Sequence, residues 1–79
     1  MNIVIYTKSG CVNCRVAKDI LNSKGIGYSE VDFEKLTGEA KEWLAKTYPD
    51  VRQMPQIFIN NQRVGGLAGL QAALKQVGL

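Results

Sequence analysis

The sequence predicts a single α/β domain with a four-stranded mixed sheet, three helices and the order β-α-β-α-β-β-α. Three observations predict it. An apolar run at residues 3–6 leads directly into a helical pattern that opens on two cysteines. A second extended segment follows that helix at the spacing of a right-handed βαβ unit with parallel strands. Pro55 then precedes a short apolar strand, an Asn-Asn turn and a returning strand, which reads as a β-hairpin.

Each element has its own signal. Residues 3–6, Ile-Val-Ile-Tyr, form an unbroken apolar run suited to a central strand buried on both faces. Residues 7–10 are a short loop. A helix is expected over residues 12–24. Ala17, Ile20, Leu21 and Lys24 recur at helical spacing, with Cys14 and Val16 extending the inner side. Gly25 and Gly27 end it. In residues 28–33, Val31 and Phe33 alternate with polar residues, as in a half-buried strand.

Thr37 is placed to cap a second helix, along which Ala40, Trp43, Leu44, Thr47 and Tyr48 follow the 3.6-residue period. Pro49 stops it. Residues 50–53 are expected as a loop. Ile57, Phe58 and Ile59 form a strand, Asn60 and Asn61 the turn, and Arg63 and Val64 the return. Asn tolerates the positive φ that such a turn needs. Leu67, Leu70, Ala73, Leu74 and Val77 mark the last helix.

The chain has 79 residues, of which 46% are hydrophobic and 22% charged. That balance suits one globular domain and excludes a disordered segment. Ten Lys and Arg against seven Asp and Glu give a net charge of +3. The excess suits small anions or acidic protein patches. No block of five basic residues occurs, so a nucleic-acid partner is not expected. No apolar run approaches membrane-spanning length, so no membrane association is expected either. The N-terminus opens into a strand rather than a charged and then apolar leader, so a cytoplasmic protein is the expectation.

The chemistry rests on Cys11-Val12-Asn13-Cys14, which holds the chain's two cysteines. Two cysteines are too few for a disulfide-stapled scaffold. In a reducing compartment, C-x-x-C at a helix start is a redox or metal-binding pattern. Zinc usually takes four nitrogen or sulfur ligands. With two cysteines and no histidine, a metal site would need a second copy of the chain, so no metal is expected.

A dithiol, in contrast, is complete. Cys11 at the helix start meets free N–H groups and the positive end of the macrodipole. Lowering a thiol pKa from ~8.5 by one unit raises its thiolate share at pH 7 from roughly 3% to roughly 24%. Lys8 adds positive charge nearby. Cys11 is therefore the expected nucleophile and Cys14, three residues on, the resolving thiol.

Two further stretches have paired readings. Pro55 before a strand is an ordinary turn proline or, if the Met54–Pro55 bond is cis, a backbone clamp that pairs Met54 with an extended substrate. Gly65-Gly66 is a loose hairpin exit or a close approach for a ligand carboxylate at a helix start.

Taken together these stretches resemble the glutaredoxins over essentially the whole chain. Tyr6-Thr7-Lys8 with Cys11-x-x-Cys14 and Ala17-Lys18 is similar to the family's active-site segment. Met54-Pro55-Gln56-Ile57-Phe58-Ile59 is similar to its cis-proline segment, and Val64-Gly65-Gly66 to its double-glycine segment. The resemblance implies a thioredoxin-like fold, a monomer, and reduction of protein disulfides and glutathione mixed disulfides. It implies glutathione as reductant. Lys8 would meet a glutathione carboxylate, the backbone at Met54, before Pro55, would pair with its cysteinyl part, Gly66 and Leu67 would contact its γ-glutamyl end, and Gln53 would add a polar contact.

The chain departs from the family pattern at two places. Val12-Asn13 stands where the family has Pro-Tyr, and Ala68 and Gly69 stand where it has an acidic pair for the glutathione ammonium. Loss of a desolvated ionic contact of that kind weakens binding by roughly 1–3 kcal/mol. Two rival readings follow. Val after the first cysteine, with a polar third residue, is similar to the glutaredoxin-like donors of ribonucleotide reductase, which draw electrons from thioredoxin reductase. The tail lacks their aromatic-rich Ser-Gly-Phe ending. The other rival is a dimer holding an iron–sulfur cluster through Cys11 and glutathione.

Overall fold

The computed structural model describes residues 1–49 and 54–78. The strands are β1 (Ile3–Thr7), β2 (Ser29–Asp32), β3 (Gln56–Ile59) and β4 (Gln62–Gly65). The helices are α1 (Val12–Ser23), α2 (Gly38–Thr47) and α3 (Leu67–Gln76). The sheet order is β2-β1-β3-β4. β1 runs parallel to β2 and antiparallel to β3, and β4 returns antiparallel to β3. This is the mixed sheet and element order that the sequence predicts.

Period-2 alternation divides the sheet into two unlike faces. Ile3, Ile5 and Ile57 point to one side, where Ala17 and Leu21 of α1 and Leu70 and Leu74 of α3 close over them. These residues are the core, and burying each large aliphatic side chain stabilises by about 1.5–3 kcal/mol. Val4, Tyr6 and Phe58 lie on the other side and are only half-buried. β1 is therefore buried on one face rather than both. Tyr6, Phe58 and Tyr48 cover that second face, with edge-to-face ring contacts at 5.6 and 5.5 Å between centroids.

Four other expectations change. Phe33 belongs to a 3-10 turn (Phe33–Lys35) rather than to β2, because Asp32 accepts the Glu34 N–H and bends the chain as pairing with β1 ends. Val16 is exposed, since the inner stripe of α1 is the narrow set Cys14, Ala17 and Leu21. Trp43 is also exposed: Leu44, one position on, takes the buried place in α2, and Trp43 makes a T-shaped ring contact with Tyr48. Val77 sits past the end of α3 as its C-cap and faces solvent. The loop expected over residues 50–53 lies outside the described residues.

Thr37 caps α2 as expected, accepting the Ala40 N–H at 3.1 Å. Asn60 and Asn61 both take positive φ, at 51° and 68°, as the hairpin turn requires. At the other end of the hairpin, α3 crosses β4 very closely. A Cβ at Gly69 would collide with the Val64 carbonyl oxygen and would lie 2.8 Å from its carbon. Only glycine permits this crossing, which sets where the start of α3 stands relative to the end of β4.

Candidate functional site

The site is built at the C-terminal end of β1. Thr7, the last strand residue, is buried, and its hydroxyl donates to Glu30 Oε2 at 2.8 Å. Lys18 Nζ of α1 donates to the same oxygen at 3.0 Å. One carboxylate thus ties β1, β2 and α1 together below the cysteines. The Lys18 bond first, and the Thr7 bond second, hold the Glu30 carboxyl below its ordinary value of 4.5 against the opposing effect of burial.

Above Thr7 the chain turns through Lys8, Ser9 and Gly10. Gly10 has φ +71° and makes the turn into α1. Ser9 donates its N–H and its hydroxyl to Glu34 Oε1, at 2.9 and 2.7 Å. The Ser9 N–H first, then its hydroxyl and the nearby Lys8 and Lys41 charges, hold the Glu34 carboxyl below its ordinary value.

Cys11 is the N-cap of α1, with extended backbone at φ −96° and ψ 106°. Its sulfur accepts the Cys14 N–H at 3.1 Å. A sulfur in that place takes up one of the donors that a helix start otherwise leaves unsatisfied. Cys11 and Cys14 are joined as a disulfide, with Cα atoms 5.3 Å apart. The two sulfurs differ in access: Cys14 is 2% exposed, while Cys11 is only partly buried.

Met54 and Pro55 face the pair from the start of β3. Their peptide bond is cis. Met54 O lies 3.4 Å from Cys11 Sγ, so the carbonyl already contacts the sulfur. Pro55 O in turn lies 3.6 Å from where a Cβ at Gly66 would stand. Between these backbones and the first turn of α3 runs an open groove of about 440 Å³. Met54, Pro55, Gly66 and Leu67 line it. Ala68 stands at its α3 end, and no acidic residue occupies the first turn of that helix. A smaller hollow, about 310 Å³, is lined by Gly10, Cys11, Val12 and Arg15.

Cys11, Cys14, Met54, Pro55, Gly66 and Leu67 are therefore assembled in one place. Lys8 does not line the groove; it is exposed, with its charge close to Glu34. Gln53 lies outside the described residues. Asn13 and Gln71 also line the groove, and neither was expected there. Asn13 is inside the C-x-x-C, so its position offered a signal. Gln71 sits one turn beyond Leu67 and offered only helical spacing. Glu34 was missed because residues 28–33 read as strand, which hid the turn that presents it. Among the described residues no group of three or more His, Cys, Asp or Glu is placed to hold a metal ion, and no helix is long and apolar enough to cross a membrane.

Known proteins agree with this geometry. The profile of the glutaredoxin family matches residues 3–64. Glutaredoxin 3 of Escherichia coli K12 is 35% identical over 78 residues, covering 99% of this chain and 92% of its own length. Glutaredoxin 1 of Rickettsia conorii is 38% identical over 68 residues, covering 86% of this chain and 67% of the longer relative. The solution structure of a Brucella melitensis glutaredoxin superposes with a TM-score of 0.73 at 35% identity, covering 99% of this chain and 82% of that one. With a helix-start cysteine pair joined as a redox disulfide, the chain belongs to the glutaredoxin family of thiol–disulfide oxidoreductases.

Proposed function

We propose that the protein reduces protein disulfides and glutathione mixed disulfides, with Cys11 as nucleophile and Cys14 as resolving thiol. The observation that carries this reading is the asymmetry of the pair. Cys11 sulfur is the more accessible one, receives the Cys14 N–H and lies 3.4 Å from the carbonyl oxygen of Met54, a residue that lines the groove, while Cys14 is buried.

In the reduced protein the Cys11 thiolate attacks one sulfur of a substrate disulfide. A Cys11–substrate bond forms, and the other substrate sulfur leaves as a thiolate that takes a proton. Cys14, losing its proton, then attacks Cys11 sulfur. The Cys11–Cys14 disulfide forms and the second substrate thiol is released. Two electrons pass from the dithiol to the substrate, which gains two protons. One glutathione thiolate reopens the disulfide at Cys11, freeing Cys14. A second removes the first as glutathione disulfide.

Glutathione lies in the groove in this reading. Its cysteinyl backbone runs beside Met54 and Pro55, and its γ-glutamyl end meets Gly66 and Leu67 at the start of α3. The free N–H groups there suit a carboxylate. Lys8 and Gln53 are assigned to the remaining polar contacts of the tripeptide. The cycle suits a reducing compartment such as the cytoplasm, where disulfide-containing proteins are the second class of partner.

A specific observation favours a second electron source. Ala68 and Gly69 leave the first turn of α3 without a carboxylate for the glutathione ammonium. Thioredoxin reductase as donor, with ribonucleotide reductase as acceptor, is the reading this supports. The oxidised protein incubated in parallel with glutathione plus glutathione reductase, and with thioredoxin reductase, decides between them. Rapid reduction by the glutathione system is the expected result. Reduction by thioredoxin reductase alone overturns the glutathione assignment and leaves the dithiol chemistry standing.

A further inference from the structure

Among the described residues, the loop that carries Cys11 is fastened from outside by the side chain of Glu34. Glu34 Oε1 accepts both the N–H and the hydroxyl of Ser9. The Glu34 N–H donates to Asp32 Oδ1 at 2.9 Å, so the turn that presents the carboxylate is itself held. Ser9 stands two residues before Cys11, and the glycine between them takes φ +71°. Glycine adds no stiffness of its own at such a position. The fixed reference for Cys11 on its N-terminal side is therefore Ser9.

We propose that Glu34 is a positioning residue for the reaction of Cys11. By anchoring Ser9 it holds the Cys11 sulfur in the N-cap place, where the Cys14 N–H reaches it. The proposal deepens the assignment of Cys11 as nucleophile and rests on it.

Glu34 also acts through charge, and in the opposite sense. The cations that face it are Lys8, on the Cys11 loop, and Lys41, on α2. Arg15 lines the hollow beside Cys11. A carboxylate here offsets part of the positive field that favours a Cys11 thiolate, while the tether to Ser9 favours it. Two substitutions separate these effects. Glu34→Gln keeps an acceptor oxygen for Ser9 and drops the charge. Glu34→Ala drops both. The side chain is exposed, so neither change disturbs the core.

The test is alkylation of the reduced protein by iodoacetamide, followed from mildly acidic to mildly alkaline pH, with peptide mass mapping to identify the modified cysteine. Cys11 in Glu34→Gln reacts at least as fast as in the unsubstituted protein. In Glu34→Ala it reacts about two- to tenfold more slowly than in Glu34→Gln near neutral pH, the range expected for a lost hydrogen bond. Ser9→Ala, which keeps the carboxylate and its backbone bond to Glu34 but loses the hydroxyl bond, reacts more slowly than the unsubstituted protein. Equal Cys11 rates in Glu34→Gln and Glu34→Ala at every pH overturn the proposal. Modification of Cys14 in place of Cys11 in the unsubstituted protein overturns the nucleophile assignment beneath it.

Discussion

Met54 O lies 3.4 Å from Cys11 Sγ. The same sulfur accepts the Cys14 N–H at 3.1 Å. The two contacts pull in opposite directions. A backbone N–H pointing at sulfur favours a thiolate, whereas a carbonyl oxygen accepts from a thiol and repels a thiolate. Cys11 therefore stands between a group that rewards its charge and one that rewards its proton. Any strand-like ligand lying beside Met54 must fit around a carbonyl already in contact with the Cys11 sulfur.

The asymmetry between the sulfurs gives the first prediction. Cys11→Ser abolishes reduction of both protein disulfides and glutathione mixed disulfides. Cys14→Ser abolishes the first and retains a measurable part of the second, because a glutathione mixed disulfide at Cys11 is released by a second glutathione without a resolving thiol. Steady-state assays on the two substrates check this. Full activity of Cys11→Ser on either substrate contradicts the assignment.

The tie between Thr7, Glu30 and Lys18 gives a dependence on pH. The Glu30 carboxyl is held below its ordinary value of 4.5 by the bonds from Lys18 and Thr7. A depressed folded-state value means that the ionised form stabilises the fold. That contribution is fully present above about 4.5 and is lost as pH falls through the depressed value. The Glu30 and Lys18 side chains are 41% and 30% exposed, so solvent screening keeps the effect below about 1 kcal/mol. Glu30→Gln is expected to lower the denaturation midpoint near neutrality and to lower it less in acid. Equal losses at both pH values would show that the tie is steric rather than ionic.

How far the sequence foretold the site follows from which residues carry strong local signals. C-x-x-C, Pro55 before a strand and Gly65-Gly66 are short-range patterns, and the structure brings Cys11, Met54, Pro55 and Gly66 together. The helix caps and the Asn60-Asn61 turn were legible for the same reason. Errors arose where a long-range partner decides the outcome. Phe33 alternates like a strand residue, but β2 ends where β1 ends, and Asp32 turns the chain there. Trp43 has core chemistry, yet Leu44 one step round α2 takes the buried place. Glu34 carries no sequence pattern that points to Ser9, 25 residues away.

Gly69 sets a limit on what the start of α3 tolerates. In an ordinary helix interior, Gly→Ala stabilises by about 1 kcal/mol. Here the added Cβ would run into the Val64 carbonyl, which is strand backbone rather than a flexible side-chain end. Overpacking of that kind costs about 1–3 kcal/mol or more, so the collision wins. Gly69→Ala is expected to lower unfolding stability, read from the denaturant midpoint, despite its better helix propensity. A midpoint that rises would mean that α3 slides off β4 without penalty.

Ala68, one residue earlier, is exposed and borders the groove, so a side chain can be added there without that collision. Ala68→Asp puts a carboxylate in the first turn of α3, which has none. Interaction with the helix N-terminus is expected to stabilise the fold by about 0.3–1 kcal/mol. The same carboxylate offers the glutathione ammonium a partner. An exposed pair of this kind is worth up to about 1 kcal/mol, so KM for a glutathione mixed disulfide falls by up to about fivefold. Any turnover with thioredoxin reductase, which involves no glutathione, is expected to be unchanged. A rise in stability with no change in KM would show that the ammonium of the bound tripeptide lies elsewhere, and would detach the start of α3 from glutathione recognition.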